Sequence, residues 1–139
     1  KGIPLAVATA MALAQRHGRD TPWCFNRKEA KDHGEGGMLV GAPAAGRALI
    51  VDDVITAGTA IRDAAVTLRA AGATLAGVVL GLDRRERGRG ARSATQEVAQ
   101  ELDVPVISII DIDHIIEYLD TAAPDRVATL RDYRSTYGV

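Results

Sequence analysis

The 139-residue chain is short of several things, and each shortage excludes something. It has one cysteine, Cys24, which excludes an internal disulfide framework and a multi-cysteine zinc site. It has no long apolar run. The alanine-rich stretch from Ile3 to Ala14 falls well short of the ~20 residues a bilayer span needs, and no convincing secretory cleavage site follows it. It also lacks a charge excess. Lys and Arg total 17 and Asp and Glu 18, a formal net charge of -1, whereas general nucleic-acid binders carry a large basic surplus. A soluble cytoplasmic protein that binds neither membrane nor nucleic acid is the expectation.

Lysine is scarce too. Only Lys1, Lys28 and Lys31 occur, and two of them share one short segment of a chain whose habitual cation is arginine. The chain opens on lysine rather than methionine, so a processed chain or a fragment is expected. What is present suffices for a core. Hydrophobic residues make up 47% and charged residues 25%, and a chain of this size buries roughly two thirds of its extended surface. One domain over residues 1–139 is expected.

Ile3, Val7, Met11 and Ala14 recur at helical spacing, which predicts a helix over 3–17 stopped by Gly18. Thr21–Asn26 reads as a short strand. Arg27–Gly37, RKEAKDHGEGG, has six charged residues and three glycines without an apolar period, so a mobile loop is expected. Met38–Val40 would be the far arm of a hairpin closing it. Arg47–Val51 predicts a strand running into Asp52 and Asp53. A helix follows over Thr59–Ala71, stopped by Gly72, and then a strand over Ala73–Leu82. After the basic loop Arg84–Arg92, Ser93 and Gln96 form a capping box for a helix to about Leu102. Val104–Ile110 is a further strand, and Asp111–Leu119 and Pro124–Tyr133 are closing helices. Apolar strands alternating with helices predict an α/β fold, a parallel sheet with helices on both faces. Ligands of such sheets bind beyond the carboxyl ends of the strands, where the loops after Val51, Leu82 and Ile110 should meet.

The stretch that carries chemistry is ALIVDDVITAGTAIR, Ala48–Arg62. Its apolar strand delivers Asp52 and Asp53 to the sheet edge. Small and hydroxyl residues, Thr56-Ala57-Gly58-Thr59-Ala60, then turn the chain into a helix. Converging backbone N–H groups and the helix N-terminus suit a monophosphate. Carboxylates so close to a phosphate would repel it, so they should face sugar hydroxyls or a hydrated magnesium ion. No GxxxxGK[ST] and no GxGxxG is present, which excludes a P-loop and a dinucleotide fingerprint. A mere turn-capping acid pair is the plain alternative, and the strand, acids, loop and helix in succession argue against it.

ALIVDDVITAGTA resembles the phosphoribosyl-diphosphate motif of the type I phosphoribosyltransferases. CFNRKEAKDHGEGG and LDRRERGRG are similar to the bacterial orotate phosphoribosyltransferase family, over nearly the whole chain. The resemblance implies that family's fold and reaction. Orotate and 5-phosphoribosyl 1-diphosphate give orotidine 5′-monophosphate and pyrophosphate, with Mg2+, in de novo pyrimidine synthesis. It further implies that Lys1, Arg27, Lys28, Lys31 and His33 bind 5-phosphoribosyl 1-diphosphate, the lid cations at its diphosphate, along with Asp52, Asp53, Val54, Ile55, Thr56, Ala57, Gly58, Thr59 and Ala60. Arg27, Lys31, His33, Asp52 and Asp53 form the catalytic set, with Lys31 the strongest transition-state contact. Magnesium has no direct protein ligand and is held through substrate and water. Arg84 and Thr56 contact orotate, and a homodimer shares its active sites through a lid at about residues 27–37.

Two physical points agree. Departure of pyrophosphate from a sugar building oxocarbenium character calls for cations on the leaving group and exclusion of water. An arginine just past a strand end can clamp a carboxylate bidentately. The family also carries an N-terminal segment, a hood over the base, that is missing here, with Lys1 falling inside a pyrophosphate-binding loop. Two other readings stay open: a transferase for another nucleobase, against which Arg84 and the RKEAKDH segment argue, and a non-catalytic phosphoribosyl-diphosphate-binding regulator, against which the retained lid cations argue. The arginine-rich 84–92 segment lacks interleaved aromatics for base stacking, and most of its arginines are expected to be solvated or at a dimer contact. Cys24 and Trp23 are expected to pack, and His17 and His114 to be surface residues at helix ends.

Overall fold

A computed structural model describes residues 1–31 and 37–139, with backbone placement alone for residues 28–31 and 37. Its elements run α1 (Gly2–His17), β1 (Cys24–Lys31), β2 (Gly37–Gly41), β3 (Arg47–Val54), α2 (Thr59–Ala70), β4 (Thr74–Asp83), α3 (Ala94–Leu102), β5 (Val106–Asp111), α4 (Ile112–Ala122) and α5 (Pro124–Tyr137). The architecture is the expected α/β one. β3, β4 and β5 form a parallel sheet in that order, flanked by helices.

The core is built where sheet and helices meet. Ile50 of β3 and Val78 and Leu80 of β4 pack with Ile61, Ala65 and Leu68 of α2 and with Val98 and Leu102 of α3. The helical residues recur every three or four positions, one stripe on each helix. At roughly 25 cal/mol per Å² of apolar surface, each of these branched side chains contributes ~2 kcal/mol on full burial. Ser93 caps α3 and Gln96 returns the bond, the expected capping box. Cover of the sheet is uneven. Leu49, Ile107 and Ile109 are exposed, although their strands read as apolar throughout.

Two boundaries differ from expectation. Arg27–Lys31, expected as the start of a loop, continues β1 and pairs antiparallel with β2, with an irregularity between Asn26 and Lys31. Charge predicted a loop here, but pairing decides strand formation when a partner satisfies the ladder. Asp52 and Asp53 likewise lie within β3 rather than after it, since Asp52 is in register with Leu80 and Val54 with Leu82. The hairpin arm at Met38–Val40 is as expected.

Candidate active site

Three strand ends form one rim. Val54 of β3 lies opposite Leu82 of β4, and Leu82 opposite Ile110 of β5. The loop leaving β3 turns through Gly58, which adopts φ 76°, a left-handed conformation that disfavours any residue with a side chain. A Cβ at this position would sit 2.6 Å from Val98 Cγ2 and 2.8 Å from Arg62 Nη1, so glycine is required by space as well as by backbone. The loop thereby packs close against α3. α2 starts at Thr59, and its first turn carries no acidic residue to occupy the N-terminal amides. Asp52 and residues 54–61 line a cavity of about 230 Å³ at this helix end. The volume lies below the ~300–1,000 Å³ of drug-sized pockets and suits a group the size of a sugar phosphate.

A second helix end reaches the same place. Gly2, first residue of α1, approaches β3 so closely that a Cβ on it would lie 2.6 Å from Asp52 Oδ1 and 2.8 Å from the Val51 carbonyl oxygen. The amino terminus at Lys1 is thereby brought near enough to Asp52 to act on its charge. The two acids differ electrostatically. Burial pushes the Asp52 carboxyl above the usual aspartate range, reinforced by the charge of Asp53. Burial acts on Asp53 in the same sense, but backbone donation from Val54 and the contact with Asp52 outweigh it and bring Asp53 below that range.

Arg84 stands just past β4, on the expected rim. Its Nη2 donates to Glu86 Oε2 at 3.2 Å, and its Nε lies 3.2 Å from Oε1, off the hydrogen-bond line. Tyr133 of α5 donates its hydroxyl proton to the same carboxylate, which raises the Tyr133 pKa. The neighbouring arginines are not simply solvated. Arg85 pairs with Asp111 at 2.7 Å and with Asp113 at 3.2 Å, and Arg87 donates to the Gly138 carbonyl at 3.3 Å.

The structure thus brings together Lys1, Asp52, Asp53 and the loop Val54–Ala60 with its exposed Thr56, and sets Arg84 on the same rim. Arg27, Lys28 and Lys31 are on β1, and His33 lies outside the described residues. Among the described residues no cluster of three or more His, Cys, Asp or Glu side chains could cage a metal. Two half-exposed carboxylates with hard oxygen donors fit an ion held mainly by other ligands and water. Cys24 is partly buried against the core, and burial raises its thiol pKa, which suits a packing role. His114 accepts a bond from the Asp111 N–H within the α4 capping box.

Sequence reasoning missed two supporting pairs. Arg62 donates from Nη1 to the Ala57 carbonyl at 2.5 Å and from Nε and Nη2 to Glu101 of α3 at 2.5 and 3.0 Å, tying the cradle to the next helix. Glu86 with Tyr133 is the other. Their partners are 39 and 47 residues away, and no local pattern signals such contacts.

The chain is 61% identical over its full length to an orotate phosphoribosyltransferase of Cellvibrio japonicus and 56% identical to one of Pseudomonas aeruginosa, spanning 66% of each. The chain belongs to the orotate phosphoribosyltransferase family. A crystal structure of the orotate phosphoribosyltransferase of Francisella tularensis superposes on all of the chain and 64% of its own length, with TM-score 0.78 and 34% identity. No protein-family model matches the chain. The family's type I phosphoribosyltransferase fold is thus the one described above, and the chain spans 66% of the length of its curated relatives. Among the described residues no helix is long and apolar enough to cross a membrane.

Proposed function

We propose that the protein transfers the 5-phosphoribosyl group of 5-phosphoribosyl 1-diphosphate to orotate, forming orotidine 5′-monophosphate and pyrophosphate in pyrimidine synthesis. The observation that carries this reading is the cradle at 54–60 beside Asp52 and Asp53, in a chain so similar throughout to transferases of that name. In the reaction the bond from the anomeric carbon to the diphosphate oxygen breaks, a bond to a ring nitrogen of orotate forms, and the proton of that nitrogen leaves with the departing pyrophosphate or to water.

The roles follow from charge and place. The amides at the start of α2 and the hydroxyls of Thr56 and Thr59 hold the 5′-phosphate. Asp52 and Asp53 face the ribose hydroxyls, where ionised carboxylates accept hydrogen bonds and stabilise positive charge building on the sugar. Lys1 and the hairpin cations Arg27, Lys28, Lys31 and His33 meet the diphosphate, with Lys31 acting most strongly as charge moves onto the leaving group. Arg84 clamps the orotate carboxylate, with Thr56 a further orotate contact. Magnesium, when bound through substrate and water beside Asp52 and Asp53, neutralises the diphosphate. The enzyme works as a cytoplasmic homodimer whose hairpins serve shared active sites.

The test is to follow orotate absorbance in the full-length protein on adding 5-phosphoribosyl 1-diphosphate and Mg2+. The expected result is a fall in absorbance as orotate is consumed, abolished by chelation of the metal. Turnover of uracil or hypoxanthine without orotate consumption would overturn the assignment. A Lys31→Ala variant that keeps kcat within about threefold, ~0.7 kcal/mol in barrier, would remove the hairpin from the mechanism.

A further inference from the structure

The Arg84 guanidinium does not stand alone on the rim. Glu86, whose side chain is 14% exposed, faces its Nε–Nη2 edge, with Nη2 to Oε2 and Nε to Oε1 both at 3.2 Å. Glu86 is in turn held by the hydroxyl of Tyr133, which donates to its Oε1. The backbone around it is fixed as well. The Glu86 carbonyl accepts from Ala94 N–H at 3.0 Å, the Arg87 N–H donates to the Tyr137 carbonyl at 2.8 Å, and Val139 N–H donates to the Arg85 carbonyl at 3.2 Å. Glu86 also bridges Gly138 in antiparallel fashion. A carboxylate two residues from the arginine, in a loop pinned to the end of α5, is a rigid support.

A guanidinium offers five N–H groups in a planar fork. Contact with Glu86 takes up the Nε–Nη2 edge of a side chain that is 32% exposed, and among the described residues no hydrogen bond occupies Nη1. The remaining Nη1–Nη2 edge is one that a second carboxylate can take bidentately.

We propose that Glu86 is a positioning residue, held by Tyr133, that orients Arg84 for the carboxylate of the incoming base. The proposal rests on the orotate reading above. It assigns Glu86 no contact with substrate. Its effect is to hold a long, rotamer-rich side chain in the one geometry that receives the base, so it acts on orotate and spares the sugar diphosphate.

The experiment measures KM for orotate and for 5-phosphoribosyl 1-diphosphate separately in the full-length enzyme and in Glu86→Gln, Glu86→Asp, Tyr133→Phe, Arg84→Ala and the double variant Arg84→Ala/Glu86→Gln. Glu86→Gln keeps the volume and loses the charge. It is expected to raise KM for orotate about tenfold and leave that for the diphosphate within twofold, with Tyr133→Phe changing orotate KM in the same direction by a smaller factor. The double variant is expected to be no worse than Arg84→Ala, because Glu86 acts only through that arginine. An orotate KM within twofold of the parent in Glu86→Gln overturns the positioning role, as do equal losses for both substrates or additive losses in the double variant. An Arg84→Ala variant with unchanged orotate KM overturns the clamp and the positioning role together. The failure of Glu86→Gln alone leaves the clamp standing.

Discussion

The backbone N–H of Asp53 donates to Oδ1 of Asp52 at 2.9 Å, so the acid that lines the cavity is locked to its neighbour at the end of β3. Their protons are therefore unequally held. Asp52 takes one up first as pH falls, because burial raises its pKa, and Asp53 keeps its charge to lower pH.

Asp52→Asn should separate stability from activity. A carboxyl whose folded pKa exceeds its unfolded value favours the fold fully below the ordinary aspartate pKa of about 3.9, and that support is lost as pH rises through the raised value. At neutral pH an ionised Asp52 thus costs stability. The asparagine removes this cost while its Oδ1 still accepts from Asp53. The expected outcome is a Tm at pH 7 equal to or above the parent's, an advantage that narrows toward pH 4, and at least a tenfold loss of kcat/KM for the sugar diphosphate. Thermal unfolding between pH 4 and 8, beside steady-state kinetics, checks both halves.

Gly58→Ala should damage both the cradle and the fold. The left-handed backbone alone costs a residue with a side chain ~1–2 kcal/mol, and the added methyl meets Val98 and Arg62. Relief requires moving the loop that closes the cavity. Urea denaturation should show a loss of about 2 kcal/mol, and KM for the sugar diphosphate should rise at least tenfold. A variant with parental affinity would mean that the loop's conformation is irrelevant to the cradle.

The Arg85–Asp111 pair predicts sensitivity to acid. Burial would raise the Asp111 pKa, yet donation from the His114 N–H and the Arg85 guanidinium together bring it below the usual range. A depressed carboxyl supports the fold above about pH 3.9 and loses that support as pH falls through its folded value. Asp111→Asn keeps a competent cap but not the ion pair, whose arginine is 45% exposed and screened by solvent, so ~1 kcal/mol is expected. Asp111→Ala loses the cap too, for ~2–3 kcal/mol in all. Urea denaturation at pH 7 should rank parent, asparagine and alanine in that order. The gap between the parent and asparagine forms should narrow as pH falls below about 3.9.

Local features were legible from the chain order of residues. The capping box at Ser93 and Gln96 needs partners three residues apart, and both bonds form. The run ALIVDD followed by small residues showed the strand, the acids and the helix start because each link of that succession is made by neighbours. The segment 27–31 was misjudged for the complementary reason. Its charges argue for a loop only while its partner is ignored, and β2 supplies the missing hydrogen bonds. The ion pairs of Arg85 were equally out of view, since its acids lie 26 and 28 residues further along on β5 and α4.

Scarcity of cysteine and of long apolar runs, the balance of charge, the acids beside a glycine turn and the family to which these belong were all determined by the sequence itself. Each depends on residue identity or on spacing within one turn of chain. Only the tertiary structure decided that Gly2 closes on Asp52, that Arg62 ties the cradle to Glu101, and that Glu86 stands between Arg84 and Tyr133. Those contacts join residues far apart in sequence. They exist because sheet pairing and helix burial fix the distances between elements, while the charges of the paired groups carry no record of which partner the fold will bring.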